Sequence, residues 1–276
     1  MNEAPIGIFD SGVGGLSVAR EIRRRLPAEN LLYFADTAFC PYGGRPLEEI
    51  RTRSVAVVEE IVARGAKLVV VACNTASGAA LETLRERFAL PIVGLEPAVK
   101  PAAERTRNGR VGVLATAATL STERFHRLLQ SYGSGVEIIQ RASPELVDLV
   151  ERGEIRGEEV SRFLGRTLAP LTEAKVDTLV LGCTHYPFLR DAIAGVMGPD
   201  VEILDSGEAV ARQVERVLSG QDALSGGPAG EIVLLTSGER APVEAIVSRL
   251  WTDSIEVQSV DQLRSEGRPP PAGRTR

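Results

Sequence analysis

Two segments of the chain repeat one pattern. Residues 67 to 77, KLVVVACNTAS, and residues 177 to 187, DTLVLGCTHYP, each run from branched apolar residues into a cysteine, then small polar residues, then a helical pattern. The apolar runs read as buried parallel strands, so Cys73 and Cys183 should each end a strand and stand at the start of the next helix. In open α/β sheets ligands bind at that end, where loops and helix N-termini present polar groups. A helix N-terminus favours the thiolate, so a cysteine there is expected to fall below the usual pKa of about 8.5 and serve as a base. One such cysteine, taken alone, is better read as a small packing residue. Two at matching strand ends, on facing walls of one cleft, suit a reaction in which a proton leaves one face of a carbon and another arrives on the opposite face. That reaction is racemisation.

The residue types leave other chemistries open. His185 lies two residues from Cys183, which fits a cysteine hydrolase or amidotransferase in which Cys73 has no task. Disulfide redox chemistry needs the sulfurs to touch, and a substrate-filled cleft would hold them apart. A non-catalytic amino-acid-binding protein is a further alternative. The segment GIFDSGVGGLS, residues 7 to 17, follows a strand and opens a helix, yet its spacing matches neither GxGxxG nor GxxxxGK[ST]. Asp10 is therefore read as an acceptor for a thiol or a substrate ammonium, Ser11 as a donor to a carboxylate, and the glycine N–H groups as donors to the same anion. In the loop DTAFCPYGG, residues 36 to 44, Tyr42 and Gly43 are the expected ligand contacts and Cys40 a packing residue. His126, beside Arg124 and Arg127 on an amphipathic helix, reads as solvated surface.

These residues need a frame, and the alternation of short Val/Ile/Leu runs with helical patterns predicts an α/β fold with parallel sheets. Strands are expected at 5–9, 31–34, 67–72, 110–115, 136–140, 176–181, 201–204, 231–236 and 255–258. Helices are expected, among others, at 15–26, 46–64, 76–88, 120–132, 158–173 and 239–250. Residues 225–230, SGGPAG, read as a loop, and the Pro-Pro-Pro segment near the end as a mobile tail. The strands IGIFDSG and VGVLATA match as the two cysteine segments do, which suggests two similar halves facing one another.

Composition bounds the reading. The 276 residues are 43% apolar and 25% charged, as in soluble globular chains, and 32 basic against 37 acidic residues give a formal net charge of −5, unlike a nucleic-acid scaffold. No apolar run reaches the roughly 18 residues of a membrane span, and the chain enters its first strand without a secretory pattern, so a cytoplasmic protein is expected. Three scattered cysteines make no disulfide framework, and no CxxC pair offers a metal site, so no bound metal is expected.

Taken together, IFDSGVGGLS, YFADTAFCPYG, VVVACNTAS, VGLEPAVKPA, PELVDLVE and LVLGCTHYPFL, in that order across roughly residues 6 to 210, resemble the glutamate racemases of the aspartate/glutamate racemase family. The resemblance implies two similar parallel-sheet α/β domains in a pseudo-twofold relation, with the active site in the cleft between them. On this basis the first domain is expected at 1–97 plus 207–264, the second at 98–206, and a mobile tail at 265–276. The implied activity is cofactor-independent interconversion of L- and D-glutamate for peptidoglycan synthesis. Cys73 matches the thiol that takes the α-proton from D-glutamate, Cys183 the one that takes it from L-glutamate, and Asp10, Glu151 and His185 match groups near the thiols. Substrate contacts fall on Asp10, Ser11, Tyr42, Gly43, Asn74, Thr75, Thr116, Thr119, Thr184 and His185. Phe39 and Ala117-Ala118 depart from the family pattern, which bears on loop shape and pocket size. A small-molecule substrate, no nucleic acid, no membrane and a homodimer are expected; a racemase for aspartate, hydantoin or a related substrate is the neighbouring alternative.

A pyridoxal phosphate enzyme needs a Schiff-base lysine. Lys67 and Lys175 precede strands, at the wrong end of the sheet, and Lys100 lies in a Glu-Pro-rich linker, so no cofactor is expected. Activity should accordingly survive EDTA and dialysis, and the protein should show no visible absorbance. Loss on dialysis, restored by pyridoxal phosphate, would overturn that.

Overall fold

A computed structural model describes residues 3–133 and 135–260. The expected tail at 265–276, and the last residues assigned to the first domain, lie outside the described residues. Four strands open the chain: β1 (Ile6–Asp10), β2 (Leu31–Ala35), β3 (Leu68–Val71) and β4 (Ile92–Gly94). A second set follows, β5 (Arg110–Ala115), β6 (Glu137–Ala142), β7 (Thr178–Gly182) and β8 (Glu202–Leu204), before β9 (Ile232–Thr236) and β10 (Glu256–Ser259). They form a six-stranded sheet ordered β10-β9-β2-β1-β3-β4 and a four-stranded sheet ordered β6-β5-β7-β8, with every pairing parallel.

The order β2-β1-β3-β4 is repeated as β6-β5-β7-β8, so the similarity read in the sequence is a duplication of topology. In each half the winding reverses beside the strand that opens it, between β1 and β3 and between β5 and β7. Such switch points leave a crevice at the strands' carboxyl ends. Cys73 follows β3, and Cys183 follows β7.

Helices cover the sheets. In the first half these are α1 (Leu16–Arg25), α2 (Leu47–Ala63) and α3 (Asn74–Arg87); in the second, α4 (Val99–Arg105), α5 (Ala117–Leu120), α6 (Glu123–Tyr132), α7 (Glu145–Glu151), α8 (Glu158–Glu173) and α9 (Arg190–Met197). The chain then returns to the first sheet through α10 (Gly207–Gly220), which packs along α1, and α11 (Arg240–Leu250) precedes the last strand. Strands β1, β2, β3 and β7 are buried along their whole length, which is why they read as continuous apolar runs rather than alternating ones. One apolar cluster runs from Ile6, Leu16 and Tyr33 in the first half to Leu146, Leu179 and Tyr186 in the second, so the halves share core. Among the described residues, no helix is long and apolar enough to cross a membrane.

Three elements differ from the sequence reading. Strand β4 has three residues, too few for a periodic signal. Lys100 lies in α4 and not in a linker: Pro101 occupies the first turn, where its missing N–H removes no intrahelical bond. The Lys100 ammonium sits 5.4 Å from the Tyr132 ring centroid. The helix expected at 120–132 breaks at Ser121-Thr122, where the Thr122 side chain accepts the Phe125 N–H and starts α6.

At the amino ends of the first sheet, the buried Lys67 ammonium pairs with buried Glu29 at 2.6 Å and donates to the Ala223 carbonyl at 2.8 Å. Glu29 also takes the Ser225 N–H at 2.8 Å, which ties the 225–230 loop to the sheet. Lys67→Met would leave Glu29 a buried uncompensated charge, a change that costs roughly 3–5 kcal/mol. Urea unfolding should show a loss of that size, and a variant as stable as the parent would mean the pair is solvated.

Candidate active site

Helix α3 begins at Asn74, two residues earlier than expected, so Cys73 itself is the capping residue. Its sulfur accepts the Ala76 N–H at 3.4 Å, and its thiol donates to the Ser11 hydroxyl at 3.7 Å. Burial pushes the Cys73 thiol up to about 12, and the nearby Asp10 carboxylate adds to the rise. The sequence-based expectation of a lowered value is thereby corrected. The helix N–H does pull down as argued, but loss of water around the thiolate outweighs it.

Asp10 ends β1, fully buried. One carboxylate oxygen accepts the Gly12 N–H at 3.2 Å and the Gly15 N–H at 3.1 Å, while the other accepts the Thr184 hydroxyl from the second half at 3.2 Å. The glycine N–H groups therefore serve Asp10, where the sequence reading gave them to a substrate anion. Burial raises the Asp10 pKa from 3.8 to about 6, against the pull of His185 and the two N–H groups.

At the other sulfur, Cys183 lies 3.7 Å from His185 Nδ1, and His185 Nε2 lies 2.6 Å from a Glu151 oxygen. That oxygen also takes the Val13 N–H from the first half at 2.8 Å. Burial disfavours the imidazolium, yet Cys183 and Glu151 outweigh it and hold His185 well above its ordinary pKa. Burial likewise opposes the Glu151 carboxylate, and the His185 partnership lowers its pKa nonetheless. The 10–17 turn reaches these groups because it has no side chains in the way. A Cβ on Gly12 would stand 2.0 Å from Glu151 Oε1, and one on Gly14 would stand 2.2 Å from His185 Nδ1.

Between the sulfurs' strands lies a set of hydroxyls. Thr75 Oγ1 of the first half is 3.0 Å from Thr116 Oγ1 and 3.1 Å from Thr119 Oγ1, which are themselves 2.9 Å apart. Thr116 caps α5, which opens with Ala117-Ala118. Gly43 packs on the Thr116 side chain. Asn74 Oδ1 is buried and has no hydrogen-bond partner among the described residues. Tyr42 is buried with its hydroxyl donated to Asp36 at 2.5 Å, so the tyrosine's polar atom is engaged within the protein. His126 is exposed, as expected.

Sequence reasoning missed two groups. Fully buried Asp36, next after β2, holds Arg53 through two bonds of 2.7 and 2.6 Å and the Ser237 hydroxyl at 2.7 Å. With Tyr42 these fix the 36–44 loop, and the Phe39 ring lies beneath the guanidinium groups of Arg45 and Arg53. Its strand-end position was the available signal. Ser17, whose hydroxyl donates to the Thr184 carbonyl at 2.8 Å, gave no signal because its partner is 167 residues away.

The site is closed. A cavity of about 10 Å³, lined by Ser17, Asn74, Cys183 and Thr184 among others, has the room of one water. A much larger cavity of about 710 Å³ lies where the chain crosses between halves, lined by Glu96, Lys100, Arg124, Arg190 and Ser206 among others.

Residues 6–214 match the model of the Asp/Glu/Hydantoin racemase family. The chain is 51% identical over 242 residues to the glutamate racemase of Herpetosiphon aurantiacus, covering 87% of this chain and 95% of that protein. Among solved structures it is similar to glutamate racemase isoform RacE1 from Bacillus anthracis, with TM-score 0.85 and 34% identity over 95% of this chain and 98% of that one. It is also similar to Escherichia coli glutamate racemase in complex with L-glutamate and the activator UDP-MurNAc-ala, with TM-score 0.83 and 35% identity over 93% and 97%.

Asp10 generates a pH prediction. Its folded pKa, about 6, exceeds the unfolded 3.8, so the folded state holds the extra proton and stability falls as pH rises from about 4 through 6. The cost above that window is roughly 3 kcal/mol at 1.36 kcal/mol per unit. Asp10→Asn keeps the shape and an acceptor for the glycine N–H groups, and its amide N–H would donate to the Thr184 hydroxyl, which turns from donor to acceptor. It should therefore melt higher than the parent at pH 8 and within error of it at pH 4. Equal melting at both would contradict a buried, desolvated carboxylate.

Proposed function

Because the chain belongs to the Asp/Glu/Hydantoin racemase family, we propose that it interconverts L- and D-glutamate by proton transfer between two cysteines, without a cofactor. The observation that carries the reading is the pair Cys73 and Cys183 at equivalent strand ends of two facing sheets, in unlike electrostatic surroundings. Cys73, raised to about 12, rests as a thiol. Cys183 has beside it a histidine held as the cation.

L-glutamate is received with Cys73 as the thiol and Cys183 as the thiolate. The Cys183 thiolate, balanced by the His185 imidazolium, takes the α-proton: the C–H bond breaks, its electron pair stays on Cα and the carboxylate, and an S–H bond forms. The Cys73 thiol then gives its proton to the opposite face, yielding D-glutamate and a Cys73 thiolate. D-glutamate turns over by the reverse sequence. Asp10 and the unpartnered Asn74 Oδ1 are acceptors suited to the substrate ammonium, whose charge offsets the rise at Cys73. The hydroxyls of Ser11, Thr75, Thr116, Thr119 and Thr184, with the Tyr42–Gly43 turn, are donors suited to the carboxylates. Glu151 orients His185. A dry, closed cleft strengthens each of these contacts in the transition state. Among the described residues, we assign those of 1–97 and 207–264 to one wall and those of 98–206 to the other, and the product to peptidoglycan synthesis in the cytoplasm.

The chain Cys183, His185, Glu151 is also the geometry of a thiol hydrolase, and one experiment separates the readings. In deuterated water, optical rotation should decay to zero from either enantiomer, with solvent deuterium at Cα of the inverted product. The two directions should share one kcat/KM, since enantiomers have equal free energy. Cys73→Ala and Cys183→Ala should each cost at least about 10²–10⁴-fold in racemisation, the usual range for a lost acid or base. Release of ammonia with tolerance of Cys73→Ala would instead identify a hydrolase, and near-parental racemisation by either variant would defeat the two-thiol mechanism.

A further inference from the structure

The loop that carries Tyr42 also delivers a third sulfur to the junction. Cys40, half-buried, Glu151 and His185 each offer one ligand atom, and these three atoms lie within 4.8 Å of one another. Cys40 comes from the first half, Glu151 and His185 from the second. The geometry points to a binding site for a thiophilic divalent cation of the zinc class, made by Cys40 Sγ, Glu151 Oε1 and His185 Nε2, whose occupation clamps the closed cleft and inhibits the enzyme.

The donor set decides the class of ion. One thiolate, one imidazole and one carboxylate are a three-residue zinc set with a fourth position for water, whereas magnesium and calcium prefer all-oxygen shells. Tetrahedral bonds of about 2.0–2.3 Å separate ligand atoms by about 3.2–3.8 Å. The 2.6 Å His185–Glu151 contact must therefore open by roughly an ångström to admit the ion. Outer partners already stand in place: the Val13 N–H bonds Glu151 Oε1 at 2.8 Å, and His185 Nδ1 faces Cys183 at 3.7 Å. Asp10 and Glu151 supply negative charge around Cys40. Binding exchanges the metal for two protons, one from the Cys40 thiol and one from His185 Nε2, both released to water.

Two consequences follow for the reaction, and these rest on the racemase reading. The ion replaces the His185–Glu151 hydrogen bond that tunes the imidazole beside Cys183, and it bridges the two walls so that substrate cannot enter or leave. The metal itself is read without turnover. Cobalt(II) added to the parent protein should give a thiolate charge-transfer band and tetrahedral visible bands, both lost in Cys40→Ala and Cys40→Val. Zinc should inhibit racemisation reversibly, EDTA should restore it, and magnesium should do nothing. The Cys40 variants, active in its absence, should need more zinc by at least the about 10–100-fold that loss of an outer-shell partner costs. Zinc-edge X-ray absorption on the parent gives a check that needs no variant: one sulfur near 2.3 Å with nitrogen and oxygen near 2.0–2.1 Å. Two sulfurs would place the metal on Cys73 and Cys183, and that result, a cobalt spectrum unchanged in the Cys40 variants, or no cobalt spectrum in the parent, would overturn the site. Failure of the racemase reading alone would leave the spectra as expected and only the inhibition arm empty.

Discussion

Everything at the junction of the two sheets depends on keeping charge out of water. Asp10, Glu151 and His185 are ionisable groups held where desolvation opposes their charged forms, and each is tolerated only because a partner compensates it. His185 and Glu151 compensate each other within the second half, and Asp10 takes the Gly12 and Gly15 N–H groups of its own half, but further partners come from the opposite wall. Glu151 of the second half takes the Val13 N–H of the first, Asp10 of the first takes the Thr184 hydroxyl of the second, and Ser17 donates across to the Thr184 carbonyl. Closing the cleft and setting these protonation states are thus one event. An open cleft would hydrate the same groups and return them toward ordinary behaviour.

The duplicated topology explains where the sulfurs stand but not how they differ. Backbone placement is equivalent: each cysteine follows the third strand of its repeat, beside the switch point. Surroundings are not. Cys73 has a hydroxyl, a helix N–H and an anion near it, and Cys183 has an imidazole backed by a carboxylate. A two-thiol proton exchange needs one partner protonated while the other is charged. Identical environments would leave the pair without a preferred starting state, so the divergence between the repeats is as chemically relevant as their similarity.

What could be read from residues alone follows the same division. The strand-end positions of Cys73 and Cys183, the parallel α/β class and the repeat are local or periodic properties, and a linear sequence records them. The direction of the Cys73 shift is not such a property. The helix N-terminus is visible in the sequence and pulls downward, but burial and the Asp10 charge are products of tertiary structure and win. Glu151 and His185 are 34 residues apart, Asp36 and Ser237 are 201 apart, and neither pairing has a local signature. Lys100 misled because a Glu-Pro-rich segment looks like a linker, although proline in a first helical turn is harmless. Strand β4 was too short to announce itself.

The closed state rests on the apolar cluster that the halves share and on the bonds that cross the cleft. At the site these are Val13 to Glu151, Thr184 to Asp10, Ser17 to Thr184, and the hydroxyl contacts of Thr75 with Thr116 and Thr119; outside it, Arg127 pairs with Glu82 and Arg124 with Glu96. Each bond at the site is worth about 0.5–1.5 kcal/mol net, and about 1.5–3 kcal/mol where a carboxylate accepts. The chain crosses between halves at two places, near residues 95–98 and 205–206, and these crossings are themselves pinned where the Ser206 hydroxyl bonds the Glu96 carbonyl. Opening the mouth would break the bonds at the site and also expose part of the apolar cluster that the halves share. In the proposed reaction a dicarboxylate substrate would replace the contacts at the site with its own, so the binding energy of glutamate is available to close the cleft, and the cost of opening sets how readily product leaves.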